Sequence, residues 1–177
     1  MKPTGKSPDL QKLAFVALGS NLGDSQQIIQ TAFGRLQQFS DEPLLKSSLW
    51  ETTPVDCPPG SPNFLNAVAG IMPRAGETPE SLLAKLQELE REFGRLPKKV
   101  LNEARPLDLD LIAFANEVRA TPNLILPHPR AHLRRFVLDP LSEIAPLLML
   151  PEQEQSVSRL LEILPSDPGP RRLAVVS

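Results

Sequence analysis

The sequence contains no tyrosine, one tryptophan, two histidines and one cysteine, Cys57. A lone thiol cannot close an internal disulfide, so the fold does not call for an oxidising compartment. No apolar run approaches the ~18 residues that cross a bilayer, and no charged-then-apolar leader opens the chain. A cytoplasmic protein is therefore expected. An excess of positive charge is missing too: 19 Lys and Arg against 21 Asp and Glu leave a net charge of −2, without the global field that non-specific nucleic-acid binding draws on. Neither G-x-x-x-x-G-K-[ST] nor G-x-G-x-x-G occurs, so neither a P-loop nor a dinucleotide fingerprint is supported.

What is present fits one globular domain. The 177 residues are 41% hydrophobic and 23% charged, a balance that allows a single core to bury roughly two-thirds of the unfolded surface. The 20 prolines point to long, stiffened loops. Residues 1–11 and 165–177 are polar or rich in Pro and Gly and are expected to fray, leaving a single domain over 12–164. Leu13–Leu18 is a short apolar run suited to a central strand, broken by Gly19–Gly23 before Asp24 caps a helix that presents Ile28, Ile29, Ala32, Phe33 and Leu36 on one face. Ser47–Thr52 and Phe64–Met72 read as strands separated by a proline-bearing loop. Pro79–Phe93 has helical apolar spacing, Asp108–Phe114 alternates as a strand, Thr121–Arg135 is loop-like, and Phe136–Ile144 and Val157–Leu164 read as short helices. The order strand, helix, strand, strand, helix, strand is the split βαβ pattern: an α+β, ferredoxin-like sandwich with a mostly antiparallel sheet.

Within Leu107–Phe114, strand alternation places Asp108 and Asp110 on one face, about 7 Å apart along the backbone, with Ile112 and Phe114 continuing that face. Two carboxylates beside apolar side chains are costly without a cation, and hard oxygen ligands in pairs suit Mg²⁺ completed by water and phosphates. The bland reading is a solvated pair beside Arg105. Basic residues surround the aspartates: Arg95, Lys98, Lys99 and Arg105 before, and His128, Arg130, His132, Arg134 and Arg135 after. Arginine forks bind phosphate oxygens, although each cluster alone also reads as a solvated face. His128 and His132 are four apart, yet Pro129 interrupts the helix start and no third zinc ligand is near, so His128 reads better as a hydrogen-bond donor to phosphate. Asn66 shares a strand face with Phe64 and Val68. Its amide matches either a heterocycle edge or a backbone partner, and Phe64 and Phe136 serve either ring stacking or ordinary packing.

Six blocks then align with a known family in order and spacing: VALGSNLGD (Val16–Asp24), SSLWETTPVD (Ser47–Asp56), PNFLNAV (Pro62–Val68), LLAKLQELEREFGR (Leu82–Arg95), ARPLDLDLIAF (Ala104–Phe114) and LPHPRAHLRRFVLDPLSEIAP (Leu126–Pro146). Together they resemble the 6-hydroxymethyl-7,8-dihydropterin pyrophosphokinases, over about Ala14–Leu164. The resemblance implies a ferredoxin-like core and transfer of the terminal pyrophosphate of ATP to a reduced pterin, releasing AMP, in folate biosynthesis. It also implies two Mg²⁺ ions on Asp108 and Asp110, with Arg95 and Arg105 alongside them in catalysis. Thr52, Thr53, Val55, Phe64, Asn66 and Phe136 match the pterin pocket, and Gln87, Glu90, Lys98, Leu111, His128 and Arg134 the ATP site.

Implied partners are ATP and the pterin, with no nucleic acid or membrane, in a monomer or weak homodimer. The loops Val55–Asn63 and Leu96–Ala104 are the implied lids. The chain departs from the family at Leu101–Ala104, where an aromatic and a Gly-Pro pair are usual, and at Asn123, where some members carry arginine. Two other readings compete: a Mg²⁺-dependent transferase for another hydroxyl acceptor, and a non-catalytic ferredoxin-like module that binds a ligand or RNA.

Overall fold

The computed structural model describes residues 6–54, 57–97, 99–101, 103–166 and 169–173. The backbone of the fold is β1 (Ala14–Ser20), α1 (Ser25–Gln37), β2 (Leu45–Lys46), β3 (Trp50–Thr52), β4 (Phe64–Ile71), α2 (Pro79–Glu92) and β5 (Asp108–Phe114). A small hairpin of β6 (Arg119–Ala120) and β7 (Ile125–Leu126) follows, then α3 (Arg135–Ile144), α4 (Val157–Ile163) and β8 (Arg171–Arg172). The main sheet runs β5-β1-β4-β3-β8, with β2 also on β4, and every pairing is antiparallel. Its first four strands have the order of the split βαβ fold, so the ferredoxin-like α+β sandwich is the architecture.

Local chemistry fixes the helix starts. Asp24 accepts the Gln27 N–H at 3.2 Å, and Thr78 and Ser81 form a reciprocal capping box ahead of Pro79. One sheet face carries Val16, Leu18, Ala67, Ala69, Leu109 and Leu111 and is covered by α1 and α2 through Ile29, Leu36, Leu82, Leu86 and Leu89. The other face carries Phe15, Val68, Ile112 and Ala113 beneath Val137, Leu138 and Leu141 of α3 and Leu160 of α4. That second cover is partial. Beyond it the same face continues through Ala17 and Gly19, Phe64 and Asn66, and Asp108 and Asp110, which line an open cleft.

Several expectations change. Phe114 does not continue the aspartate face: the β1–β5 register slips between Phe15 and Val16, placing Ala113 in the second core and Phe114 in the first. A one-residue slip turns all later side chains over. The freed Ile112 carbonyl accepts the His128 N–H at 2.8 Å, which ties the basic loop to the strand. The strand expected over Ser47–Thr52 shortens to β3, and Leu45–Lys46 ahead of it forms β2 on β4. Between them the Ser47 N–H still donates to the Val68 carbonyl, but the Val68 N–H goes to the Ser47 hydroxyl, which donates to the Ser48 carbonyl, so a side chain replaces one ladder bond there. Gly19 and Ser20 extend β1 rather than ending it, paired with Asn66 and Leu65. The segment expected to fray after Pro165 returns as β8 on the edge of β3, and in the N-terminal segment Leu10–Lys12 forms a 3₁₀ turn with Leu10 against the second core. No helix among the described residues is long and apolar enough to cross a membrane.

Candidate active site

The cleft encloses about 730 Å³ above the uncovered sheet end. Its floor is β1, β4 and β5, and the absence of a side chain at Gly19 keeps that floor open between Asn66 and Asp108, its cross-strand partners. Asn66 is nearly buried and donates from Nδ2 to Thr52 Oγ1 at 2.9 Å, leaving its Oδ1 as an acceptor at the cleft wall. Thr52, Thr53, Phe64 and Phe136 line the same space, with the Arg105 guanidinium 5.8 Å from the Phe64 ring centre and the Arg134 guanidinium 5.4 Å from that of Phe136. One end of the cleft is thus flat, aromatic and edged with amide and hydroxyl groups.

The other end is ionic. Asp108 Oδ1 receives Arg95 Nη1 at 2.8 Å, while its Oδ2 lies 3.9 Å from Arg105 Nη1. The same Arg95 nitrogen sits 2.7 Å from Glu90 Oε1, which also accepts the Leu109 N–H at 2.7 Å. Burial pushes the Glu90 carboxyl up, opposed by those two partners. Among the described residues nothing clamps Asp110 in this way. Its burial, then the charges of Asp108 and Glu90, push its carboxyl up to about 7 despite Arg134 and Arg95. A carboxylate held this way gains most from a cation, and the described residues offer no third acidic, His or Cys ligand to complete a cage. A hard ion on this pair takes its remaining ligands from water and phosphate, as Mg²⁺ does.

Asp110 also lines a second, 270 Å³ cleft with Leu83, Leu111, Asn123, His128 and Pro129, so it stands where the two spaces meet. His128 Nδ1 accepts the Arg130 N–H at 3.2 Å, leaving Nε2 as the donor of a neutral ring. Burial, then Arg134 and Arg130, push its pKa down.

Of the residues singled out from the sequence, Thr52, Thr53, Phe64, Asn66, Arg105, Asp108, Asp110, Arg134 and Phe136 line the main cleft, and Leu111 and His128 the second. Arg95 and Glu90 line neither cleft; they form the ion-pair chain behind Asp108. Gln87 is exposed, one turn beyond Leu83, and lines neither cleft. Val55 and Lys98 lie outside the described residues. Sequence reasoning passed over Asn21, whose Oδ1 accepts the Arg105 N–H at 2.9 Å and whose Nδ2 reaches the Pro62 carbonyl at 3.4 Å, joining three loops at the cleft. It also assigned no role to Cys57, and named Arg130 and Arg135 only as members of the basic cluster; all three line the main cleft. Counting charge in the segment after β7 brings out its arginines, but not their direction.

Residues 15–146 match the family described as 7,8-dihydro-6-hydroxymethylpterin-pyrophosphokinase (HPPK). The chain belongs to this family. Relatives named 2-amino-4-hydroxy-6-hydroxymethyldihydropteridine pyrophosphokinase include that of Haemophilus influenzae, 37% identical over 142 residues, covering 80% of this chain and 86% of that one. The Bacillus subtilis protein of that name is 38% identical over 136 residues, 76% of this chain and 79% of its own. The folic acid synthesis protein fol1 of Schizosaccharomyces pombe is 36% identical over 156 residues, 88% of this chain, which spans 21% of fol1. Among solved structures, wild-type HPPK-DHPS of Plasmodium falciparum with pteroate superposes with a TM-score of 0.67 at 14% identity, over 85% of this chain and 42% of that one. That likeness concerns the fold. The HPPK match ends at residue 146, so α4 and β8 lie beyond it.

Proposed function

We propose that this HPPK-family chain transfers the terminal pyrophosphoryl group of ATP to the hydroxymethyl oxygen of 6-hydroxymethyl-7,8-dihydropterin, releasing AMP, with two Mg²⁺ ions held by Asp108 and Asp110. The observation that carries the reading is the position of Asp110, short of counter-charge, where the two clefts meet. The aromatic end suits a flat heterocycle: the Asn66 carbonyl and the Thr52 and Thr53 groups read its edge, and Phe64 and Phe136 face its rings. The second cleft takes the nucleotide beside Leu111 and His128, with Gln87 and Glu90 on the helix bordering it.

Bound Mg²⁺ would polarise the attacked phosphorus and neutralise phosphate charge. The protein's own part is positioning and electrostatics. Arg95 holds Asp108 in place from behind, Arg105 and Arg134, which line the same cleft as the aspartates, supply guanidinium groups for the phosphates, and neutral His128 donates a hydrogen bond without adding charge. An ionised Asp110 beside the acceptor hydroxyl is the candidate general base. Leu96, Val100 and Leu101 stand exposed on the basic loop, where folding over the cleft would bury them and exclude water.

The test is product analysis with ATP, Mg²⁺ and the pterin. One AMP should form per pterin consumed, without ADP. ADP as the product, or turnover with a hydroxyl acceptor lacking the pterin ring, contradicts the assignment.

A further inference from the structure

We infer that the C-terminal segment forms a wall of the acceptor pocket that determines how tightly the pterin is held, with Arg135 as its positioning residue; the inference rests on the pterin end assigned above. Leu164, Pro165, Gly169 and Pro170 line the main cleft together with Phe136 and Asn66. The segment is fastened at both ends to elements that carry the pterin side of the site. At the near end, Arg135 Nη1 reaches the carbonyls of Leu161, Leu164 and Pro165 at 3.4, 3.5 and 3.4 Å, while its Nη2 pairs with Asp139 Oδ1 at 3.2 Å. Arg135 opens α3, directly before Phe136. At the far end, Arg171 and Arg172 pair with Glu51 and Trp50 of β3, the strand that runs into Thr52 and Thr53. The Leu173 N–H donates to the Leu49 carbonyl at 2.9 Å, and the Arg171 guanidinium lies 2.8 Å from Glu51 Oε1.

The packing between these anchors is specific. A Cβ added at Gly169 would fall 2.6 Å from the Ser166 carbonyl oxygen and 3.5 Å from Arg135 Nε, so position 169 accepts only glycine unless its neighbours move. Arg135 itself lines the cleft and directs its guanidinium to these carbonyls and to Asp139, a charge-assisted hold on the segment. Leu164, Pro165 and Pro170 present aliphatic and proline surface to the cleft. A flat, neutral acceptor gains contact from it, and the charged polyphosphate at the other end of the cleft does not. This assigns the segment to acceptor affinity, not to chemistry or nucleotide binding.

The test uses the full chain with three substitutions: Gly169→Ala, which crowds the Ser166 carbonyl; Arg135→Ala, which releases the carbonyls; and Arg171→Glu, which sets like charges against Glu51 on an exposed edge. 6-Hydroxymethyl-7,8-dihydropterin is titrated into protein saturated with Mg²⁺ and a non-hydrolysable ATP analogue, and the analogue's own Kd is measured separately. Each variant should weaken pterin binding at least fivefold, leave the analogue Kd within twofold, and raise the pterin KM with little change in kcat. Arg135→Lys should recover part of the loss. Unchanged pterin binding in Gly169→Ala and Arg171→Glu, or equal losses for pterin and nucleotide, overturns the wall. Wild-type protein that binds the pterin but forms no AMP overturns the proposed activity and leaves the binding comparison intact. Failure of the wild type to bind the pterin overturns both.

Discussion

Replacing Asp110 by asparagine should abolish turnover and make the metal-free protein more stable, with a gain that depends on pH. Burial and the neighbouring charges of Asp108 and Glu90 raise this carboxyl from 3.8 to about 7. At ~1.4 kcal/mol per tenfold, that displacement corresponds to on the order of 4 kcal/mol of unfavourable charge in the folded state, an upper figure because water can enter the cleft. The sign follows from linkage. A folded-state pKa above the unfolded one means that the native protein binds more protons between those values, so this group's contribution to stability is present below pH ~4 and is lost as the pH rises to about 7. Asparagine removes the charge and keeps the shape. Urea unfolding in EDTA should show Asp110→Asn more stable than wild type at pH 8 by at least ~1 kcal/mol, with the gap shrinking at pH 5. Adding Mg²⁺ and an ATP analogue should stabilise the wild type more than the variant. A variant that is less stable at pH 8, or a gap independent of pH, would refute the reasoning.

Three further outcomes are expected. Arg95→Ala strands Glu90, 8% exposed, and loosens Asp108; unfolding should show a loss of roughly 2–4 kcal/mol, with Glu90→Gln restoring part of it, and additive effects in the double variant would count against the ion-pair chain. Asn66→Ala should cost about 1–3 kcal/mol of pterin affinity in calorimetry and leave nucleotide binding unchanged; equal losses would remove its role at the ring edge. Because a metal must displace the Asp110 proton, apparent Mg²⁺ affinity should rise with pH up to about 7 and then level off, whereas a flat profile from pH 5.5 to 8 would contradict that coupling.

The element order and the aspartate pair were legible because they depend on period and alternation, which are local properties. LDLDL reads as a strand with both carboxylates on one side, and the structure keeps them there as far as Ile112. The flip at Phe114 was not legible, since a bulge is decided by the partner strand and by the loop that captures the Ile112 carbonyl. The family pattern puts Arg95 with the catalytic residues and Glu90 at the ATP site, and gives no sign that their contacts run to each other, to Asp108 and to the Leu109 backbone. The return of the C-terminal segment escaped notice for a different reason. A two-residue edge strand of Arg171 and Arg172 has no hydrophobic signature, and what fixes it, Glu51, Ser48 and the Leu49 carbonyl, lies more than a hundred residues earlier. Composition reported proline and glycine there, which excludes a helix but not a docked strand.

The central claim is that Asp108 and Asp110 hold metal against the polyphosphate. Manganese serves as a paramagnetic stand-in for Mg²⁺, and the number of bound ions per chain can be counted by electron paramagnetic resonance in the presence of a non-hydrolysable ATP analogue. Wild type should bind two ions, and Asp108→Asn and Asp110→Asn should each lose tight binding of at least one while keeping the native circular dichroism spectrum. Unchanged ion counts and affinities in both variants would contradict the account.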